Sequence, residues 1–232
     1  MSTRTRIARI ARRVGARRPS RGWHRHAVGG KWEEIGQLQF DFLVSEGLTP
    51  EHYLLDVGCG SLRGGVRFVD HLEPGHYFGI DRSAELLAAG ETELERAGIT
   101  GKRPTLLATS DFAAAQLGQS FDFALAQSLF THLPFNSISR CVAEVGRVLA
   151  PGGRFYATFF ASPGPRLRTE SMPLGSGIPI DVHLDADPYY YDPALFSWLC
   201  EGSDLSCEYR GEWGHPRFQQ MLVFTKQGAT SP

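Results

Sequence analysis

The stretch LLDVGCGSLRGG, residues 54–65, decides the fold of this 232-residue chain. Apolar residues on both sides of Asp56 predict a buried strand, which Gly58-Cys59-Gly60 follows at once. Glycine has no Cβ, so the backbone there can turn tightly and approach a ligand. A helix beginning at about Leu62 would direct its unpaired N–H groups at that ligand. The stretch therefore predicts a strand, a ligand-binding loop and a helix.

A second acid marks the end of the next predicted strand. The run YFGID, residues 77–81, places Asp81 21 residues after Gly60, where a carboxylate can accept hydrogen bonds from both ribose hydroxyls. In the pattern G-x-G-x-x-G, Arg63 occupies the third glycine position, which disfavours a dinucleotide such as NAD. Asp56 beside the loop suits an amino-bearing ligand better than a pyrophosphate, because like charges repel. We expect a nucleoside-containing cofactor at the carboxyl edge of the sheet.

Strand-like and helix-like segments alternate along the rest of the chain. The predicted strands are 53–57, 77–81, 105–108, 121–126, 154–160, 205–209 and 219–225. The predicted helices are 31–45, 62–72, 84–97, 113–117, 135–149 and 193–202, with a turn at 150–153. This alternation predicts an α/β fold, a single Rossmann-like sheet of about seven mostly parallel strands with helices on both faces.

The charge is distributed unevenly along the chain. Residues 1–26 hold nine arginines and no acid, whereas residues 27–232 hold 15 basic and 25 acidic residues, a net charge of −10. We expect residues 1–27 to be a flexible basic arm. Residues 28–232 are expected to form one domain, with an insertion at about 161–190. Weak contact with a membrane surface or polyanion, and organelle targeting, are the other interpretations of the arm.

The composition excludes several classes of protein. Hydrophobic residues make up 42% and charged residues 21% of the chain, as in folded soluble domains. No run of about 18 uncharged apolar residues exists, which argues against a membrane-spanning helix. Cys59, Cys141, Cys200 and Cys207 form no C-x-x-C pair, so a disulfide scaffold and a cysteine-rich zinc site are disfavoured. We expect a cytoplasmic protein, peripheral at a membrane if the arm binds one.

Over about residues 28–160 the sequence resembles the class I S-adenosylmethionine-dependent methyltransferases. LLDVGCG is similar to the first motif of that family, and Asp81 to its ribose-binding acid. RVLAPGGRFYATFF, residues 147–160, resembles the family's helix, turn and fifth strand. The family usually shows G-x-G-x-G, and Leu62 stands at the third glycine position here, so we expect a different path for residues 61–65.

The resemblance implies S-adenosyl-L-methionine as the cofactor and an antiparallel last strand. It also implies a set of cofactor-binding residues, with the acid after the third strand reading the adenine amino group. These residues are Asp56, Gly58, Cys59, Gly60, Asp81, Arg82, Asp111, Phe112, Gln127 and Ser128.

Two histidines are the candidate catalytic residues. His132 follows the fourth predicted strand, where the loop faces cofactor and acceptor in the family's fold. It is a candidate general base, since a base assists transfer to a hydroxyl, or alternatively a residue that shapes the pocket. His183 lies among aspartates in DVHLDADPYYY, which suggests substrate contact or a polar surface loop; we predict no metal site. Further base candidates are Asp181, Asp185 and His215.

The sequence also limits the acceptor. Residues 126–129 read AQSL and lack the N/D-P-P-Y/F element of adenine and glutamine N-methyltransferases, and the acidic domain disfavours a DNA substrate. We expect a small-molecule, sugar or lipid-linked acceptor, with O-methylation favoured over N-methylation. The alternatives are a non-catalytic cofactor-binding scaffold of the same fold and, as the third hypothesis, a nicotinamide-dependent oxidoreductase.

Overall fold

The computed structural model describes residues 22–162, 171–173 and 181–228. Its strands are β1 (Leu54–Val57), β2 (Tyr77–Asp81), β3 (Thr105–Ala108), β4 (Phe121–Ala126), β5 (Leu149–Ala161), β6 (Met172–Pro173), β7 (Asp181–Val182), β8 (Tyr190–Tyr191), β9 (Leu205–Glu212) and β10 (Gln220–Lys226). The central sheet has the order β3-β2-β1-β4-β5-β10-β9, and β8 pairs with the end of β5. Strands β6 and β7 pair separately.

The directions of the strands confirm the predicted sheet. Strand β1 is parallel to β2 and β4, β2 to β3, and β4 to β5. The last strand, β10, is antiparallel to both β5 and β9. The seven strands of the main path match the prediction, and the short β8 adds an eighth that the sequence did not suggest.

Six α-helices accompany the strands in the described residues. They are α1 (Trp23–Ala27), α2 (Trp32–Ser45), α3 (Gly65–His71), α4 (Ala84–Ala97), α5 (Phe135–Val148) and α6 (Leu195–Trp198), with 3₁₀ turns at 100–102, 114–117 and 130–132. Helix α4 has the predicted bounds because Ser83 Oγ accepts the N–H of Leu86 at its start and Gly98 ends it, as capping requires. None of the described helices is long and apolar enough to cross a membrane.

Helices cover both faces of the sheet, and β1 is therefore buried on both sides. One apolar cluster joins Leu55 of β1 to the buried face of α5, including Val142. The other joins Leu54 to Leu43 of α2 and Phe68 of α3. Burial on both faces explains why β1 reads as a nearly continuous apolar run interrupted only by Asp56.

Several predicted elements differ from the structure. The helix predicted at 62–72 spans Gly65–His71, and the helix predicted at 113–117 is a 3₁₀ turn at 114–117. The predicted turn at 150–153 is a bulge within β5, because Phe121 pairs with Leu149 whereas Phe123 pairs with Arg154. Pro151 has no N–H for the ladder, which favours such an interruption. Helix α6 covers only part of the predicted 193–202. Residues 163–170 and 174–180 of the predicted insertion lie outside the described residues.

The order of the strands positions the functional site. The chain leaves β1 towards β2 and β3 on one side and later returns to β4 and β5 on the other. Ligands of open α/β sheets bind where the order reverses, beyond the carboxyl ends of the strands. The loops after β1, β2 and β4 are therefore the expected walls of a ligand cavity.

Helix α1 contacts the domain within the segment predicted to be the basic arm. Residues 1–21 of that segment lie outside the described residues, but His24 of α1 is buried beside Glu93 of α4, 3.2 Å from its carboxylate. Arg25 donates two hydrogen bonds to Glu93, of 3.2 and 2.7 Å. Burial opposes the ionisation of Glu93, but the hydrogen bond from Arg25 and the charges of Arg25, Arg96 and His24 together outweigh it and lower the pKa of Glu93.

We expect Glu93→Gln to destabilise the protein by about 1–3 kcal/mol, because a buried carboxylate that accepts charged hydrogen bonds is lost. Glu95→Gln on the exposed face of α4 is the matched control, with an expected change within about 0.5 kcal/mol. Urea unfolding of both variants measures the difference. Equal midpoints would show that α1 is not anchored through Glu93.

Candidate active site

A cavity of about 1010 Å³ opens at the carboxyl ends of β1, β2 and β4. Most of the residues predicted to bind the cofactor line it, as does the predicted base His132. The lining members of the predicted set are Asp56, Gly58, Cys59, Gly60, Asp81, Arg82, Phe112, Gln127, Ser128 and His132. Asp111 and His183 are not among the residues that line it.

Asp81 ties the glycine loop to the end of β2. Its Oδ2 accepts the N–H of Gly60 at 2.9 Å, and its Oδ1 accepts the N–H of Ser83 at 2.8 Å. A carboxylate has about four acceptor sites, so each oxygen of Asp81 can still accept another hydrogen bond. The carboxylate is thus held in place and able to bind hydroxyls in the cavity.

The loop keeps a left-handed turn at Leu62, where the family has glycine. The φ of Leu62 is 67°, and its side chain is fully buried. A Cβ on Gly65 or on Gly90 would lie within 2.9 Å of the Leu62 side chain. The predicted difference at residues 61–65 therefore takes the form of a leucine in a glycine-like conformation, which costs about 1–2 kcal/mol, and two glycines that make room for it.

Asp56 is a buried acid in the floor of the cavity. Its Oδ2 accepts the hydroxyl of Tyr77 at 2.7 Å. Burial raises the pKa of Asp56 to about 7; the Tyr77 hydrogen bond opposes this shift, and the charge of Asp81 adds to it. A cationic group in the cavity would favour the ionised form of Asp56.

Arg63, whose place in the glycine pattern argues against a dinucleotide, also lines the cavity. It is 7% exposed, and its Nη1 donates to the carbonyl oxygens of Val28 at 2.7 Å and Gly30 at 3.2 Å. Its Nε has no hydrogen-bond partner among the described residues. Burial and the neighbouring Arg217 lower the pKa of Arg63 to about 10, so the guanidinium stays charged at neutral pH. Its long-range contacts could not be found from the sequence.

A polar network forms another wall of the cavity. The Gln127 amide contacts His215 Nε2 at 3.1 Å and Gln219 Oε1 at 3.3 Å, and Ser128 Oγ donates to Gln219 at 3.0 Å. Burial, then the charges of Arg63, Arg217 and Lys31, lower the pKa of His215 to about 3. His215 is therefore neutral at physiological pH. The Oε1 of Gln127 is buried without a partner among the described residues, and a ligand with a donor group would satisfy it.

His132 faces the cavity from its rim and is oriented by an acid. Its Nδ1 lies 2.6 Å from Asp187 Oδ1, and both side chains are more than half exposed. With the Nδ1 proton donated to Asp187, Nε2 carries the lone pair. In the sequence, Asp187 is only one of the aspartates near His183. Because 55 residues separate it from His132, the pairing of the two could not be predicted.

The residues that line the cavity include neither Asp111 and His183 nor the further base candidates Asp181 and Asp185. His183 Nδ1 contacts the hydroxyl of Ser171 at 2.6 Å. Asp111 is exposed, and a hydrogen bond from Thr109 lowers its pKa. Among the described residues, no group of three or more His, Cys, Asp and Glu side chains is arranged to hold a metal ion.

Residues 54–153 match a protein-family model described as a methyltransferase domain. The chain is 26% identical over 147 residues to demethylmenaquinone methyltransferase of Symbiobacterium thermophilum, covering 59% of this chain and about half, 53%, of that protein. It is 25% identical over 213 residues to ubiquinone biosynthesis O-methyltransferase of Hahella chejuensis, covering 86% and 82%. The structure of magnesium protoporphyrin IX methyltransferase from Synechocystis, with bound S-adenosylmethionine, superposes with a TM-score of 0.59 at 16% identity over 83% of this chain and 81% of that one. This last likeness shows the fold.

We expect the free energy of unfolding of the cofactor-free protein to fall as the pH rises from 5 to 8, and to fall less in Asp56→Asn. The native pKa of Asp56 is raised to about 7 from an ordinary value of about 3.9, so its contribution to stability is present at low pH and lost through pH 7. Urea unfolding at both pH values measures this, with the exposed Asp70→Asn as control. Identical pH dependence in wild type and Asp56→Asn would show that Asp56 is ionised throughout.

Proposed function

We propose that this chain methylates a hydroxyl group of a small organic acceptor. The premise is that the chain belongs to the class I S-adenosylmethionine-dependent methyltransferases. The observation that carries the proposal is one cavity that joins Asp56, Arg63 and Asp81 to a histidine–aspartate pair at its rim. The first three suit an amino-acid-bearing nucleoside, and the pair suits an acceptor that must lose a proton.

The nucleoside end of the cofactor would lie against Asp81. Its two oxygens retain acceptor sites for ribose hydroxyls after binding Gly60 and Ser83, and Arg82 and Phe112 line the same part of the cavity. Phe112 offers an apolar face for the adenine ring. Asp111 would have to turn its exposed side chain inward to reach the adenine amino group.

The amino-acid end would lie against the buried charges. Arg63 offers a free Nε to the carboxylate, and charge-assisted bonds of this kind are among the strongest in proteins. The ammonium group matches Asp56 and the unpartnered oxygen of Gln127. Gly58, Cys59 and Ser128 complete the wall around this end.

The bound cofactor supplies a methyl group activated by its sulfonium. The protein must then orient the acceptor and exclude water. Neither task requires a large rearrangement of the protein's charged groups. His132 Nε2 is placed to take the acceptor's hydroxyl proton, and Asp187 stabilises the imidazolium that forms. A free amine would need this base less, so the pair favours O-methylation.

Titration calorimetry with S-adenosylhomocysteine and with 5′-methylthioadenosine, which lacks the amino-acid group, tests the cofactor assignment. We expect Arg63→Gln to weaken S-adenosylhomocysteine about 10- to 100-fold, since a charged hydrogen bond is worth about 1.5–3 kcal/mol, and to leave methylthioadenosine within about twofold. Asp81→Ala should weaken both, because both contain the ribose.

The exposed Arg147→Gln on α5 is the control for removing an arginine. NAD serves as the ligand control. Failure of the wild type to bind S-adenosylhomocysteine would refute the proposed function, and equal losses for both nucleosides in Arg63→Gln would remove Arg63 from the amino-acid end.

Turnover of the best acceptor from a panel of phenols, sugars and amines tests the base. We expect His132→Ala to lower kcat by about 10²–10⁴-fold with S-adenosylhomocysteine affinity unchanged. Asp187→Asn should lower kcat less, because the imidazolium loses its stabilising charge but the base itself remains. Unchanged turnover in His132→Ala would indicate an amine acceptor or a histidine that only shapes the pocket.

A further inference from the structure

Two arginines face the same part of the cavity, and only one of them is used by the proposed function. We propose that the second, Arg217, binds a carboxylate or phosphate group of the acceptor, so that the substrate is an anionic small molecule. This inference rests on the proposed function, because the cofactor is taken to occupy Arg63. It names a substrate class that neither the fold nor the comparisons provide.

Arg217 reaches the cavity from the loop between β9 and β10. A Cβ built on Gly29 would lie 3.0 Å from Arg217 Nη1 and 3.9 Å from Arg63 Nη1. The two guanidiniums therefore approach one point beside Gly29. Like charges this close repel strongly in a partly buried site, where the effective dielectric constant is far below that of water.

Neither guanidinium has an acidic partner in the part of the chain that the structure describes. Four acids line the cavity. Asp187 contacts His132, Asp81 accepts two backbone N–H groups and Asp56 accepts the Tyr77 hydroxyl, while Glu85 forms no ion pair with either arginine among the described residues. Lys31, the next cation, is paired with Glu34 at 2.6 Å. The neighbouring His215 is neutral, since its pKa is lowered to about 3 by burial and by these cations. The region thus carries two positive charges that form no ion pair within the described residues.

Charge balance assigns these two charges to two different anions. The cofactor has one carboxylate, which matches the buried Arg63, whereas its ammonium and sulfonium groups add positive charge. With Asp56 facing the ammonium and Asp81 facing the ribose hydroxyls, no acid of the cavity is assigned to the sulfonium or to Arg217. The acceptor is the other ligand of this cavity, and a negative charge on it would complement both.

Hydrogen bonding leaves Arg217 free to bind such a group. Its Nη2 donates to the carbonyl oxygen of Gly29, and its backbone N–H donates to His215 Nδ1 at 3.2 Å. Nη1 and Nε make no hydrogen bond within the described residues. A guanidinium can bind carboxylate or phosphate through two parallel N–H groups. The Gly29 contact therefore orients Arg217 and leaves its Nη1 and Nε donors available.

Calorimetric titration of the protein saturated with S-adenosylhomocysteine tests the proposal, since the cofactor carboxylate then occupies its own site. The probes are benzoate, phenyl phosphate and the neutral benzamide. We expect at least one of the two anions to bind about tenfold or more tightly than benzamide. Arg217→Gln should abolish this preference, Arg217→Lys should retain part of it, and Arg147→Gln should match the wild type.

The outcomes separate this proposal from the proposed function. Absent anion binding, equal binding of anions and benzamide, or an unchanged preference in Arg217→Gln would overturn the anionic acceptor while S-adenosylhomocysteine still binds. A tenfold loss of S-adenosylhomocysteine affinity in Arg217→Gln would instead assign Arg217 to the cofactor carboxylate and also overturn it. Failure of S-adenosylhomocysteine to bind the wild type would refute both.

Discussion

The hydrogen bonds of the Asp81 carboxylate hold the site together. One oxygen binds the loop after β1 and the other binds the start of α4, so a single side chain fixes two neighbouring crossovers of the sheet. The positions of the glycine loop, of Arg63 just beyond it and of the α4 face that receives α1 all depend on this connection. Backbone donors cannot rotate away from their acceptor as side chains can, which makes the arrangement rigid before any ligand arrives.

Around this rigid centre the protein keeps buried ionisable groups that have no ion-pair partner within the described residues. Within the described part of the chain, Asp56 is buried and hydrogen-bonded only to the Tyr77 hydroxyl, and Arg63 is buried against carbonyl oxygens. Isolated buried charges lower the stability of a fold. An acid and a base, Asp56 and Arg63, are retained in one cavity because a zwitterionic ligand would supply the opposite charge to each. Such a ligand gains affinity because the polar groups are already desolvated and oriented.

Local patterns in the sequence predicted most of the fold. Strands β2, β3 and β4 and helix α4 have the predicted bounds, because apolar runs, Ser83 and Gly98 act over a few residues. Contacts between distant residues were not predictable. Asp187 lies 55 residues from His132, Arg63 lies 35 and 33 residues from its partners Val28 and Gly30, and Arg217 lies 188 residues from Gly29. The candidate site was therefore located from its glycine loop, while its charge arrangement required the three-dimensional structure.

Residues 28–30 lie beside the cavity, and the carbonyl oxygens of these three residues accept hydrogen bonds from Arg63 and Arg217. The same two guanidiniums thus bind the carbonyl oxygens of this segment and, as proposed above, the anionic groups of the ligands. Any displacement of residues 28–30 frees both arginines, and any anion that engages the arginines changes the free energy of displacing the segment. By thermodynamic linkage, an anion that binds more tightly in one position of residues 28–30 favours that position by the same free energy.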